Sequence, residues 1–222
     1  MLSCSKVLKA YMTERGPVEA VKGIDLDLPG GAFTAVVGPS GSGKSSLLAM
    51  IGGLSRPTGG AVRVEDTDIW ALPDHRLAHF RNCRIGFVFQ FPSLLPALRV
   101  VDNVALPALL AQGRDRSSVY QRASELLDRL GVAQHLDAYP GEISAGEQRR
   151  AAIARALINA PTLLLADEPT SDLDAAAEGE MMEQFRELIR TDAMTLLMVT
   201  HNLRLAEQAD RIVHIGDGRL VA

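Results

Sequence analysis

The chain has 222 residues, 47% hydrophobic and 23% charged, which suits one sizeable globular unit. Its formal net charge of −4 disfavours a nucleic-acid backbone as main partner, and its two cysteines, Cys4 and Cys83, lack metal-type spacing and fit a reducing cytoplasm. No stretch approaches the roughly 18 uninterrupted apolar residues that cross a bilayer, so the chain cannot itself be a channel.

From the N-terminus, Leu2-Ser3-Cys4 superficially looks like a lipoprotein cleavage site, but no apolar signal segment precedes it, and Cys4 reads as an ordinary thiol. The apolar run Phe33 to Val37 reads as a strand and Leu47 to Ile51 as a helix. Between them Gly38, Pro39, Ser40, Gly41, Ser42, Gly43, Lys44 and Ser45, with Ser46 following, fit the phosphate-loop pattern G-x-x-x-x-G-K-S. Small residues let such a loop wrap closely, so that backbone N–H groups and the helix N-terminus point at one anion. Lys44 is then expected to reach the β- and γ-phosphates of a nucleotide and Ser45 to ligate Mg²⁺. His75 and His79 stand one helical turn apart, a remote metal possibility, and Arg76, Arg81 and Arg84 read as a solvated face near lipid headgroups or a partner loop.

Ile85 to Phe89 is another apolar strand, and Gln90 at its end is either a functional group or a polar residue closing a sheet. The apolar, proline-interrupted run Phe91 to Leu98 is either a docking surface or core. Val119, Ala123, Leu126, Leu127 and Leu130 recur at helical spacing until Gly131. Ser144 and Glu147 form a capping-box pattern, predicting a helix through Leu157 that Asn159 and Pro161 end. Because one phosphate loop serves one nucleotide, a second anion-binding helix start suggests service to a nucleotide held by another copy. Leu163 to Ala166 reads as a buried strand ending in Asp167 and Glu168, with Pro169 stopping it. Adjacent acids on a strand face opposite ways: Asp167 suits Mg²⁺, and Glu168 suits polarising an attacking water. His201 follows the apolar run Met194 to Thr200, and Asp217-Gly218 reads as a tight hairpin turn.

Ile143 to Arg150, followed by Ala156 to Asp174, resembles the signature, Walker B and D-loop of an ATP-binding cassette (ABC) ATPase, and the similarity spans essentially the whole chain. The resemblance implies a RecA-like α/β P-loop core with an antiparallel β subdomain (1–90 and 161–222) and an inserted α-helical subdomain (91–160) carrying the signature. It makes Gln90 the Q-loop glutamine and a Mg²⁺ neighbour, His201 the switch histidine and Tyr11 the aromatic that stacks on adenine. Asp174 closes the D-loop, and Ser144, Ala145, Gly146 and Glu147 contact the nucleotide of a second copy. Glu168, Lys44, Gln90 and His201 form the catalytic set.

Two positions depart from the family pattern. Ala145 stands where glycine is usual, and its methyl group could crowd the phosphate, giving a slower or altered ATPase. Asp172 adds a carboxylate to the D-loop that either alters communication between subunits or faces solvent. The implied protein is the ATPase subunit of an ABC transporter, using ATP and Mg²⁺, peripheral on the cytoplasmic face of the membrane. It works as a homodimer with a separately encoded permease, and no nucleic acid is expected. Ile85 to Gln90, Leu94-Leu95-Pro96, Asn103 to Pro107 and Ala166 to Thr170 are similar to the lipoprotein-release and macrolide-export ATPases, implying outward or mechanical work on lipoproteins, peptides, drugs or haem. The alternative is an ATP-dependent regulator that signals through a membrane partner without moving cargo.

Overall fold

The computed structural model describes residues 1–14, 16–111, 113–171 and 173–221; the Asp172 expectation therefore lies outside the described residues. Two long strands open the chain, β1 (Leu2–Thr13) and β2 (Gly16–Leu28), paired antiparallel. Next come β3 (Phe33–Val37), α1 (Lys44–Ile51), β4 (Gly59–Val64), β5 (Thr67–Asp68), α2 (Asp74–Arg84) and β6 (Ile85–Val88). Helices α3 (Val100–Leu109), α4 (Arg116–Arg129) and α5 (Ala145–Leu157) follow. The chain then runs through β7 (Leu163–Asp167), α6 (Ala175–Asp192), β8 (Thr195–Thr200), α7 (Leu203–Ala206), β9 (Arg211–Gly216) and β10 (Arg219–Val221).

One sheet is antiparallel in the order β2-β1-β4-β5; the other runs β10-β9-β3-β8-β7-β6 and is parallel except at its β10-β9 hairpin. The parallel strands are buried on both faces, which is why they read as unbroken apolar runs rather than alternating ones. Phe33, Ala35 and Val37 of β3 pack with α3 to α6, whereas Val36 packs on the opposite side with α1, α2 and the antiparallel sheet. In β7 and β8 the same alternation sends Leu164, Ala166, Leu196 and Met198 to the first core and Leu163, Leu165, Leu197 and Val199 to the second.

Register puts the chemistry on one edge. Val37 pairs with Thr200, Asp167 with Val199 and Val88 with Ala166, so the segments beginning at Gly38, Glu168, His201 and Phe89 emerge together at the carboxyl ends of parallel strands, where open α/β sheets bind ligands. The hairpin turn at Asp217 and Gly218 has both residues at positive φ, +46° and +74°, the backbone a two-residue turn requires.

The arginine group departs from the expected solvated face. Arg81 donates to the Gly53 carbonyl at 2.8 Å and Arg84 lies 3.5 Å from the Glu65 carboxylate. These bonds tie α2 to the loop after α1 and to the β4-β5 turn. Among the described residues no group of three or more His, Cys, Asp or Glu could hold a metal; His79 instead lies 3.7 Å from the Cys83 sulfur. No helix of the described residues is long and apolar enough to cross a membrane.

Candidate functional site

The phosphate loop is shaped by what it cannot accommodate. Gly43 sits at φ +101°, and a Cβ there would lie 2.2 Å from the Ala20 carbonyl oxygen of β2. A Cβ on Gly38 would lie 2.1 Å from the Ile215 carbonyl oxygen. The loop is thus wedged between β2 and β9, and α1 begins at Lys44 with Gly43 as its N-cap, its first N–H groups directed toward the loop mouth. Lys44 is only 7% exposed, and its ammonium donates to the carbonyls of Gly38 and Pro39 at 2.8 and 3.0 Å. A buried cation, satisfied by its own loop and set at a helix N-terminus, suits a polyphosphate.

Ser45, the next residue of α1, donates its hydroxyl to Asp167 Oδ1 at 3.1 Å. Burial pushes the Asp167 carboxyl above its usual range, the Ser45 hydrogen bond opposes this, the neighbouring Glu168 adds to it, and Lys44 draws it back. A desolvated carboxylate beside a hydroxyl is a hard-oxygen pair suited to a small divalent cation.

Glu168 leaves the strand at once. Its φ is +46°, a conformation costly for a residue with a Cβ, while its N–H still donates to the Val199 carbonyl at 2.9 Å. Its carboxylate accepts from the His201 backbone N–H at 3.3 Å and lies 2.9 Å from His201 Nδ1. The two acids therefore diverge as expected, although through a left-handed residue rather than strand alternation. Tyr11 of β1, 40% exposed, places its hydroxyl 3.3 Å from Ser46 Oγ, with the Lys9 ammonium 4.9 Å from its ring centroid. Tyr11, Ser46, Lys44, Ser45, Asp167, Glu168 and His201 are in this way linked around one loop.

Other expected residues are not drawn into that group. The Gln90 side chain is exposed and makes no hydrogen bond to Ser45 or Asp167 among the described residues; its backbone carbonyl accepts from Arg149 at 2.9 Å. Asp174 N-caps α6, accepting from the Ala176 and Ala177 N–H groups at 3.1 and 2.9 Å. Ser144 caps α5 in the expected reciprocal box, donating its N–H and hydroxyl to Glu147 at 2.8 and 2.7 Å. These two bonds hold the Glu147 carboxyl below its usual range, and His135 Nε2 lies 2.9 Å from the other Glu147 oxygen. Ser144 and Ala145 are exposed, and no hydrogen bond joins them to the phosphate loop among the described residues. Ala145 opens a right-handed helix and has no positive φ, so its methyl group strains nothing within the chain.

Three positions carry contacts that the sequence patterns did not single out. Arg149 is 3% exposed and donates to the carbonyls of Gln90 and Pro169. Arg155 donates to the Pro92 and Ser93 carbonyls at 2.9 and 2.8 Å. Asn103, fully buried, exchanges hydrogen bonds with the Leu95 backbone and donates to the Leu98 and Arg99 carbonyls. The available signal was a cationic or amide group inside an otherwise apolar helix face.

A family model described as ABC transporter matches residues 21–171. The lipoprotein-releasing system ATP-binding protein LolD of Anaeromyxobacter dehalogenans is 48% identical over 98% of this chain and 91% of its own length. That of Geobacter metallireducens is 46% identical over 100% and 98%. The macrolide export ATP-binding/permease protein MacB of Rhodopirellula baltica is 42% identical over 98% of this chain, which spans 32% of that longer protein. Among solved structures, the dimeric post-hydrolysis state of the ATP-binding cassette MJ0796, bound to ADP and Pi, superposes with a TM-score of 0.93 at 35% identity, covering 100% of this chain and 97% of that one.

Proposed function

Because this chain belongs to the ABC transporter family, as an ATP-binding, ATP-hydrolysing subunit, we propose that it works as a homodimer enclosing two ATP on the cytoplasmic face of a membrane. There it would drive a separately encoded permease in extruding a lipoprotein, peptide, drug or haem cargo. The observation that carries this reading is the near end-to-end similarity to the LolD proteins. A second feature supports a membrane partner: the segment after β6 exposes Phe89, Phe91 and Leu95 at 38%, 65% and 45%, an apolar rim around Gln90.

In this reading the loop from Gly38 to Ser46 binds the phosphates and Tyr11 lies against the base. Ser45 and Asp167 would hold Mg²⁺, with Gln90 reaching the same centre once its backbone shifts. Bound there, Mg²⁺ supplies charge neutralisation on the transferred phosphoryl group. Lys44 stabilises charge on the β- and γ-phosphates. Glu168 orients the attacking water, and His201, held by Glu168, contacts the γ-phosphate. Ser144, Ala145, Gly146 and Glu147 present an exposed helix N-terminus to the nucleotide of the second copy, and Asp174 lies at the same junction. ATP closes the dimer only to the extent that it binds the closed state better. The segment 91–160 forms the helical subdomain that carries this surface, and residues 1–90 with 161–222 form the core.

The test is purification of the tagged chain from native membranes in mild detergent. A membrane protein in stoichiometric amount, with ATPase activity in the reconstituted complex well above that of a Lys44→Ala control, is expected. Stoichiometric DNA or ribosomes in its place would sink the transporter reading. A membrane complex without turnover above the control would support a signalling role in its place.

A further inference from the structure

We propose that Arg149 is a positioning residue that binds three functional segments into one unit: helix α5 with its Ser144 cap, the Gln90 backbone, and the carbonyl of Pro169 directly after Glu168. The inference rests on the roles proposed above for Glu168 and for the surface at Gln90, and adds the physical link between them.

Gln90 is itself exposed, and Phe91 beside it is 65% exposed. The backbone under them is held from below by two guanidinium groups of one helix. Arg149 takes the Gln90 carbonyl at 2.9 Å, and Arg155 takes those of Pro92 and Ser93. Burial lowers the Arg155 pKa from its ordinary value. Such a cost is tolerated where the fork is fully used, and a planar fork can bridge two carbonyls in a fixed relation where a single ammonium cannot.

The other arm of Arg149 reaches Pro169. That carbonyl belongs to a short tether: Glu168 N–H is bonded to Val199 and Ser171 N–H to the Glu168 carbonyl at 3.2 Å, and Glu168 sits in a left-handed conformation. With its backbone fixed on both sides, a displacement of Pro169 rotates the Glu168 side chain more readily than it stretches a bond. A push on the Gln90 to Ser93 segment is therefore delivered to α5 and to the Glu168 tether together, through Arg149.

The test uses the full chain carrying Arg149→Gln or Arg149→Lys. Arg149→Gln is expected to lower kcat for ATP at least about tenfold while KM changes less than about twofold, because no phosphate-loop contact is touched. Arg149→Lys, which keeps a charged donor for one carbonyl, is expected to fall between. The second readout is hydrogen exchange in a Glu168→Gln background, where Mg·ATP is expected to alter exchange of residues 89–95 and 144–150 together. Adding Arg149→Gln should leave the change at 144–150 and remove more than half of that at 89–95. A kcat within twofold of the parent, or an undiminished exchange response at 89–95, would overturn the proposal. If Arg149→Gln does not fold, Arg149→Lys decides on the same readouts. If Glu168→Gln itself forms no ATP-dependent dimer, the dimer reading above fails, and Arg149 is then judged on the kcat and KM split alone.

Discussion

Replacing Gly43 by alanine tests the phosphate loop at its tightest point. Two costs add. The residue sits at φ +101°, beyond the left-handed well that other residues visit, at about 1–3 kcal/mol. The new Cβ would lie 2.2 Å from the Ala20 carbonyl oxygen and 3.3 Å from its carbon, so β2 or the loop must yield by about 1 Å, an overpacking cost of about 1–3 kcal/mol. Together about 2–6 kcal/mol corresponds to a Tm lower by about 6–18 °C for a chain of this size. If the loop yields instead of β2, the stability loss shrinks and the N–H cradle opens, so affinity for a fluorescent ATP analogue should fall more than about 100-fold. Gly131→Ala is the control: its φ is +69° and a Cβ there meets nothing within 4 Å, so only conformational strain of about 1–2 kcal/mol applies and ATP affinity should be unchanged. Thermal unfolding and nucleotide titration of both variants decide. Native Tm together with native affinity in Gly43→Ala would refute the close-approach argument.

Asp167→Asn should stabilise the nucleotide-free chain near neutral pH. Burial raises the folded-state pKa of Asp167 above its unfolded value, so the native state holds its proton more tightly and stability falls as pH rises through that window. The variant lacks this penalty, and the Tm difference should shrink as pH is lowered below the ordinary aspartate range; a difference constant with pH would contradict the assignment. The same variant should lose Mg²⁺-dependent turnover, measured by phosphate release. Ala145→Gly should keep or raise ATPase activity and lower helix stability by up to about 1 kcal/mol, seen as a small drop in Tm. A large loss of turnover would show that the methyl group is part of the contact.

How far the chain could be read depended on whether a feature was local. The phosphate loop, the Ser144 and Glu147 box and the Asp217-Gly218 turn are each written within a few neighbouring residues, and the structure forms the latter two as expected. The buried strands were legible because apolar residues on both faces leave no polar alternation. Gln90, His201 and Tyr11 carried little signal in themselves and were identified only through resemblance to a family. Arg149, Arg155 and Asn103 escaped notice because their partners are backbone carbonyls of other segments, which have no sequence signature. The Arg81 and Arg84 contacts were missed likewise: Gly53 carbonyl and Glu65 lie outside the helix that bears the arginines. The positive φ of Glu168 could not be read either, since it comes from the bonds that Val199 and His201 impose on it.

Light scattering after size exclusion of the Glu168→Gln chain with Mg·ATP tests the central claim most directly. The account predicts twice the monomer mass with ATP, the monomer mass without it, and loss of the dimer but not of nucleotide binding when Ser144→Arg is added. A Glu168→Gln chain that hydrolyses ATP at the native rate, or binds ATP and remains a monomer, would contradict it.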